Sequence, residues 1–307
     1  MVTRASDPAA GTAGRGAATL NDMPEPLFIS LPPSTATPRP PTRRRRRWPW
    51  VVGAVVLALV AGAGVVWLTS NRAVPVSLGQ AESRYHGPGS AATGDSRPAP
   101  GVYRYTGSGS EKLSMPPLSQ VEGPSMPGTV TLQGANCFVF RIDYSTHHWQ
   151  TWRYCLHHGD LWEAGGQSWQ LWSIGPLQIT NLSSFTCVAG SMALPGSAEV
   201  GQAWRSSCTG TNTSVRGKTS STGPYRFLGL TTLSVGGQSV RAAHFLRLRT
   251  DAGAQRGTER SEVWVNAGTG LPLRVDQTIK VTSPTPFGTS SYTQVGTFRL
   301  TSPVAHR

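Results

Sequence analysis

Apolar and polar residues alternate along much of the chain after residue 100. The clearest stretch runs from Leu271 to Val281, where Leu273, Val275 and Ile279 are apolar and the residues between are mostly polar. A period of two places successive side chains on opposite faces of a strand, one buried and one in water. Turn residues separate such stretches, and none has a helical period. The pattern predicts a mostly β fold, a curved antiparallel sheet of roughly ten strands in a half-barrel, barrel-like or sandwich arrangement.

The apolar positions of these strands are the candidate lining of a concave surface. Around residue 245, the alternation assigns Leu246 and Leu248 to an apolar face and Arg247 to the opposite one. We expect the apolar face to point inward, because burying it stabilises the sheet. The candidate ligand-lining residues are Val240, Leu246, Leu248, Val263, Val265, Leu273, Val275 and Ile279.

One segment before the β region is apolar on every face. From Trp48 to Leu68 the chain has 21 residues without a charge, which as a helix would reach about 31 Å, the thickness of a bilayer core. Trp48, Trp50 and Trp67 lie at its ends, where indole rings favour the headgroup region. A cleaved signal peptide would have a shorter basic region and a shorter apolar run. The sequence predicts one N-terminal transmembrane helix over residues 48–69.

Five consecutive arginines precede this segment, in a chain whose formal net charge is +13. They are Arg43, Arg44, Arg45, Arg46 and Arg47. Basic residues flank the cytoplasmic end of membrane helices, so we expect a cytoplasmic N-terminus and an extracytoplasmic C-terminal region. The run also fits anionic lipid. Its position beside the membrane disfavours a nucleic-acid partner. The prediction is a single-pass protein of the cell membrane.

Composition divides the rest of the chain. Residues 1–47 are rich in Ala, Gly, Pro, Thr and Arg and are expected to form a disordered cytoplasmic tail. Within them, Leu27–Leu31 could dock a partner. Residues 70–100 are again rich in Gly, Pro and Ser and are expected to form a flexible linker. Residues 101–303 are the expected extracytoplasmic β domain.

The four cysteines all follow the apolar segment. An even number of cysteines in an oxidising compartment indicates disulfides. A hairpin turning near Thr146 would set Cys137 opposite Cys155, and the loop 190–201 similarly lies between Cys187 and Cys208. We predict the pairs Cys137–Cys155 and Cys187–Cys208.

Catalytic and metal-binding patterns are weak. The pairs His147-His148 and His157-His158 point to opposite faces within each pair and lie too far apart along the hairpin for one ion. The motifs GxSxG, HExxH and SxxK do not occur. The sequence places no two carboxylates together. We expect a protein that is not an enzyme and has no cofactor or metal. Whether the many Trp residues fill a core or line a pocket is open.

The C-terminal half carries a familiar set of segments. These are Gly223–Gly229, Val235–Val240, Gly257–Trp264, Thr269–Arg274 and Phe298–Ser302. Over about residues 101–302 the chain resembles an uncharacterised family of actinobacterial membrane-anchored envelope proteins. Over about 225–302 its Trp264 to Arg274 hairpin resembles LolA/LolB-like lipoprotein-carrier half-barrels. That resemblance implies a curved sheet whose concave side holds acyl chains. The predicted anchor and disulfides depart from soluble carriers, and the resemblance assigns no ligand residues.

Three functional hypotheses follow. In the first, the extracytoplasmic domain binds a hydrophobic ligand, a lipid or a lipidated partner such as a lipoprotein, without catalysis. In the second, it is a protein–protein interaction or sensor module with a partner in the envelope. In the third, it is an envelope hydrolase that uses carboxylates or histidine.

Overall fold

The computed structural model describes residues 52–62, 73–87, 96–174, 177–286 and 288–306. The described residues after 100 form one large, curved, unclosed antiparallel sheet, which confirms the mostly β prediction. Its strands are β1 Gly101–Tyr103, β2 Tyr105–Ser114, β3 Pro117–Glu122, β4 Gly128–Gln133, β5 Cys137–Ser145, β6 His148–His157, β7 Asp160–Ile174, β8 Leu177–Cys187, β9 Met192–Leu194, β10 Ala203–Asn212, β11 Val215–Val235, β12 Gln238–Gly253, β13 Arg256–Asn266, β14 Pro272–Thr285 and β15 Gly288–Leu300.

Most neighbours in the sheet are also neighbours in sequence. The spatial order is β1-β4-β5-β6-β7-β8-β10-β11-β12-β13-β14-β15-β2-β3, and β9 pairs with β7. Hairpin connections therefore dominate, as expected of an antiparallel sheet whose turns are rich in Gly. The segment between β3 and β4 also contacts the end of β5: Gly123 N–H donates to the Tyr144 carbonyl at 3.0 Å. This contact brings the β3 end of the sheet against β5 and forms a seam.

Paired residues of neighbouring strands lie at the same height, meaning the same position along the strand direction. The side chains on the inner face of the sheet therefore form layers that run across the strands. The lowest layer is apolar. Phe245 pairs with Val263, Val263 with Val275, and Val275 with Phe298. These side chains belong to one buried cluster that also contains Phe140 and further aromatic residues. One end of the concave face is thus a packed core.

The next two layers are polar. In one of them Arg247 pairs with Ser261, Ser261 with Gln277, and Gly109 with Glu122. The layer above it runs from Arg249 through Glu259, Ile279 and Gln294 to Glu111. Charged side chains on the inner face have to be paired, because an isolated charge is costly to bury.

The orientation of β12 corrects one sequence prediction. Leu246 and Leu248 were expected to face inward, but Leu248 is 36% exposed, whereas Arg247 is only 3% exposed. Arg247 and Arg249 face inward because they pair with inner-face carboxylates, Glu259 and Glu163. Since successive side chains alternate, the leucines must lie on the outer face.

Both predicted disulfides are present. Cys137 and Cys155 are directly opposite each other on β5 and β6, and Cys187 and Cys208 are opposite on β8 and β10. No described cysteine is free. Each disulfide therefore joins two directly paired residues on neighbouring strands.

Residues 52–62 form a helix, α1, whose Val and Leu side chains are exposed. The remainder of the predicted span over 48–69 lies outside the described residues. So do the predicted tail, 1–47, and its arginines Arg43–Arg47. Within the described part of the chain, we find no helix of the length and apolar character needed to cross a bilayer.

A second helix, α2 (Leu78–Arg84), lies within the segment 70–100 that was expected to be a flexible linker. Ser77 and Gln80 form a capping box at its N-terminus, which satisfies backbone donors that would otherwise be free. Val76 is fully buried, and its carbonyl accepts a hydrogen bond from Ser125 Oγ at 2.8 Å. Within the predicted linker, residues 73–87 therefore contain a short helix, and Val74 and Val76 contact the seam.

Candidate ligand cavity

A cavity of about 320 Å³ lies on the inner face of the sheet, above the polar layers. Part of its wall is apolar, formed by Leu113, Met115, Trp172, Ile179, Ile279 and Val281. Another part is polar and includes Gln170, Asn181, Ser221, Asp251, Tyr292 and Gln294. The cavity is at the lower end of the size range of ligand pockets in proteins. It can therefore hold a molecule with both apolar and polar parts.

The first polar group below the cavity is the arginine cluster, which we define as Tyr225, Arg247, Arg249, Glu163 and Glu259. Arg249 Nη2 lies 2.6 Å from Glu163 Oε2, and Arg249 Nε donates to Tyr225 Oη at 2.8 Å. Arg247 Nη2 makes a close ion pair with Glu259 Oε1. Arg249 and both carboxylates also line the cavity. The cluster is a fixed, charged part of the cavity floor.

These contacts determine the protonation states in the cluster. Burial works against ionisation of Glu259, but the charges of Arg247 and Arg249 outweigh it, and its pKa is lowered. Burial also opposes the charged form of Arg249, yet Glu163 and its other partners raise the pKa of Arg249 further. Glu259 is therefore ionised, and Arg247 and Arg249 are positively charged, at neutral pH.

The second polar group is the histidine cluster, defined as Glu111, Glu122 and His148. The three side chains are 0–2% exposed. His148 Nδ1 lies 2.9 Å from Glu111 Oε1 and 2.8 Å from Glu122 Oε1. β2, β3 and β6 each supply one member, so the cluster spans the seam from inside.

Neutral side chains complete the hydrogen bonding of the histidine cluster. Gln120 Nε2 donates to Glu111 Oε2, and Tyr292 Oη donates to Glu111 Oε1 at 2.5 Å. Gln294 Nε2 donates to Glu122 Oε1 at 2.9 Å. Tyr292 and Gln294 also line the cavity. Tyr292 and Gln294 therefore lie between the histidine cluster and the cavity.

His148 carries a proton at neutral pH. Burial alone would lower its pKa, but the charges of Glu111 and Glu122 and their hydrogen bonds raise it to about 10. Burial likewise works against the charge of Glu111, but His148 and the hydrogen bonds lower that pKa overall. The pKa of Glu122 is raised, mainly by burial. The cluster is an imidazolium held between two carboxyl groups.

Ser168 completes an arrangement that resembles a hydrolytic triad. Its Oγ lines the cavity and lies 3.3 Å from His148 Nε2, while His148 Nδ1 contacts the two glutamates. In a triad the histidine must be neutral, because it takes the proton of the nucleophile. An imidazolium at this position donates to Ser168 Oγ instead. The geometry is that of a triad, but Nε2 of an imidazolium has no free lone pair to accept the serine proton.

Two groups of residues have the proximity that a metal site requires. Glu111, Glu122 and His148 place their ligand atoms within 4.8 Å of one another, with His148 Nδ1 between the two carboxyl groups. The other group, Glu163 with Cys187 and Cys208, contains sulfurs that are joined in a disulfide. A disulfide sulfur is not the thiolate that metals prefer. The set with the disulfide therefore lacks the donors of a metal centre.

The candidate lining residues divide into three groups. Val263, Val265, Leu273 and Val275 are buried in the packed core, and Val240 packs against it. Ile279 lines the cavity. Leu246 and Leu248 are on the outer face, as described above. The concave side is thus only partly apolar.

The tryptophans also divide between roles that the sequence left open. Trp152 and Trp172 are almost fully buried and line the cavity. Trp149 and Trp169 stack on each other with ring centroids 6.2 Å apart, on the face opposite to Ser168. Trp152 therefore belongs to the core and also lines the cavity, whereas Trp149 and Trp169 do neither.

Comparisons with known proteins assign no family. No family model matches the chain, and no curated protein matches it. A crystal structure of the hypothetical lipoprotein YmcC from Escherichia coli is similar to 64% of this chain and 88% of its own, with 10% sequence identity and a TM-score of 0.29. A likeness at this level carries no argument about function. The resemblances noted from the sequence therefore stay resemblances.

Proposed function

We propose that this protein is a non-enzymatic binding protein of the cell envelope whose cavity holds one amphipathic, lipid-like molecule. The observation that carries the proposal is the division of the cavity wall into an apolar part, around Ile279 and Val281, and a polar part, around Asp251 and Gln170. A purely apolar ligand would leave the polar groups without water or partners, which is costly. A purely polar ligand would gain nothing from the apolar wall.

The apolar wall can supply much of the binding energy. Each methylene transferred from water contributes about 0.8 kcal/mol, so a buried segment of about six methylenes contributes ~5 kcal/mol before the cost of ordering the ligand. Because the core below the polar layers is already packed, the chain of the ligand has to lie in the upper cavity, against Leu113, Trp172 and Ile279. The volume favours one short chain, or part of a longer one, over several chains.

The absence of catalysis is part of the proposal. Ser168 is the nucleophile that the geometry would select, but a protonated His148 cannot activate it. Treatment of the full-length protein at pH 7 with a fluorophosphonate probe should leave Ser168 unlabelled, as judged by peptide mass spectrometry. Covalent labelling of Ser168 that disappears in His148→Gln would instead support the hydrolase hypothesis.

The two disulfides support an extracytoplasmic domain, because such bonds persist in oxidising compartments. We accordingly propose a single membrane anchor at residues 48–69, with the β domain outside the cell membrane. Protease treatment of intact cells should degrade residues 101–303 and leave a tag at the N-terminus intact. Protection of both the N-terminal tag and residues 101–303 would contradict this topology.

The binding proposal is tested on the full-length protein purified from its native membrane. Organic extraction and mass spectrometry should find one defined amphiphile at close to one molecule per chain. Val281→Trp, which fills the cavity, should lose that molecule. Val295→Trp is the matched control, because Val295 is 50% exposed and lies on the outer face of the adjacent strand. Equal ligand content in the two variants, or none in the unsubstituted protein, would overturn the proposal.

A further inference from the structure

The inner face of the sheet has more acidic than basic side chains, although the whole chain is strongly basic. The basic members are Arg247, Arg249 and His148, and the acidic members are Glu111, Glu122, Glu163, Asp251 and Glu259. With every group ionised, the five carboxylates exceed the three cations by two, against a net charge of +13 for the chain. A cavity above this layer therefore experiences a local field of the opposite sign to that of the protein as a whole.

Asp251 is the inner-face carboxylate for which the described residues provide no ion pair. Glu163 and Glu259 are paired with the two arginines, and His148 serves both glutamates of the seam. Among the described residues, Asp251 takes part in no ion pair, and its hydrogen-bond partner is the neutral hydroxyl of Ser221. Burial raises its pKa, so the site favours either a proton or a positive charge beside it. Asp251 also lines the cavity.

The position of Asp251 defines how a ligand would lie. Asp251 pairs with Gly257 on β13, and Gly257 pairs with Val281 on β14, so these residues share one height. Gly257 lies between them in the pairing, and Asp251 and Val281 both line the cavity. A head group beside Asp251 is therefore continuous with a chain lying against Val281 and Ile279.

We propose that the cavity selects an amphiphile with a cationic amine head, which pairs with Asp251 while its alkyl chain lies against Ile279, Val281 and Leu113. This inference rests on the proposed function and adds the charge of the head group to it. An anionic head at the same place would meet Asp251 and Glu259 and would be repelled. The charge of Arg249 acts on Asp251 as well, but less than that of Glu259, and Arg249 is paired with Glu163.

The test compares three probes with the same chain length and different heads: dodecylamine, dodecanol and dodecanoate. Their affinities for the full-length protein in phosphatidylcholine nanodiscs are measured at pH 7 through the fluorescence of Trp152 and Trp172, which line the cavity. Dodecylamine should bind at least tenfold more tightly than dodecanoate. Asp251→Asn should weaken dodecylamine at least tenfold and change dodecanol less than twofold. Asp276→Asn, an outer-face control paired with Arg274, should change neither.

The outcomes separate this inference from the proposed function. If Asp251→Asn leaves dodecylamine binding unchanged, or if dodecanoate binds as tightly as dodecylamine, the amine inference is overturned. In that case, loss of dodecanol binding in Val281→Trp still supports a cavity for amphiphiles. If Val281→Trp binds all three probes as well as the unsubstituted protein does, the ligand is not in the cavity and both proposals are overturned.

Discussion

His148 Nδ1 lies 2.8 Å from Glu122 Oε1, and this contact joins β6 to β3, a strand at one end of the sheet order. The partners are 26 residues apart in sequence and are both almost completely buried. With Glu111, they hold the seam closed from the inside, next to the side chains that line the cavity. The seam therefore depends on charge as well as on backbone pairing.

Removing the imidazolium should destabilise the domain strongly. His148→Gln leaves two buried carboxyl groups without their cation, and breaking a buried ion pair in this way costs about 3–5 kcal/mol. Urea unfolding of the full-length protein, followed by tryptophan fluorescence, measures the loss. His86→Gln, at an exposed position, should change stability by less than about 0.5 kcal/mol. Equal stability of the two variants would show that the seam does not depend on His148.

The same cluster should give stability a defined dependence on pH. His148 has a pKa raised to about 10, so its contribution is complete below the ordinary histidine pKa and is lost as the pH rises from about 6.5 towards 10. Glu111, whose pKa is lowered, contributes above the ordinary carboxyl pKa, and its contribution is lost as the pH falls. Glu122, with a raised pKa, opposes Glu111 in the acid range. The loss of stability at alkaline pH is therefore easier to interpret than the change at acid pH.

The measurement is the midpoint of denaturant unfolding between pH 6 and 10. It should fall steadily over this interval in the unsubstituted protein and should be nearly flat in His148→Gln. The tyrosines nearby, Tyr144 and Tyr292, have pKa values raised well above the ordinary value by burial and so do not titrate in this interval. An identical alkaline decline in both proteins would assign it to groups outside the cluster.

Arg249 and Glu163 should behave as a coupled pair. Arg249→Met leaves Glu163 buried beside Tyr225 without a cation and should cost about 3–5 kcal/mol. Glu163→Gln in the same chain should restore at least half of that loss, because no isolated charge then remains. The double-mutant cycle is read from urea unfolding. Additive losses would show that the two side chains do not stabilise each other.

The two disulfides should differ in their effect on ligand binding. Each closes a loop of about 20 residues, so replacing either pair by serines should destabilise the domain by about 3 kcal/mol. Cys187 and Cys208 line the cavity, whereas Cys137 and Cys155 do not. Loss of the first pair should therefore also weaken amphiphile binding, measured with dodecanol, and loss of the second should affect stability alone. Equal binding losses would indicate that the effect comes from stability.

The strands and disulfides could be predicted because they depend on residues that are close together in sequence. Alternation identifies a strand such as β14, and a hairpin places Cys137 opposite Cys155 without knowledge of the rest of the fold. The polar layers could not be predicted in this way. An arginine in an alternating strand, such as Arg247, normally faces solvent. Here Arg247 faces inward because it pairs with Glu259 on the neighbouring strand.

The histidine cluster was beyond sequence reasoning for a different reason. Glu111 and Glu122 lie on one hairpin and His148 on another, and only the closure of the seam brings them together. The signal that was available is weak: Gly109 and Gly296 occupy inner-face positions beside Glu122, where a side chain would collide with its carboxylate. Small residues at inward positions indicate that something large lies opposite, but they do not identify it.

The segment that precedes the β domain is hydrogen-bonded to the turn between β5 and β6. Thr146 N–H donates to the Val74 carbonyl at 2.8 Å, and Val74 N–H donates back to Thr146 Oγ1 at 3.3 Å. A pulling force applied to the chain before residue 73 is therefore transmitted first to Thr146, two residues from His148. Tension applied from the N-terminal side would load the seam before it loads any other part of the sheet.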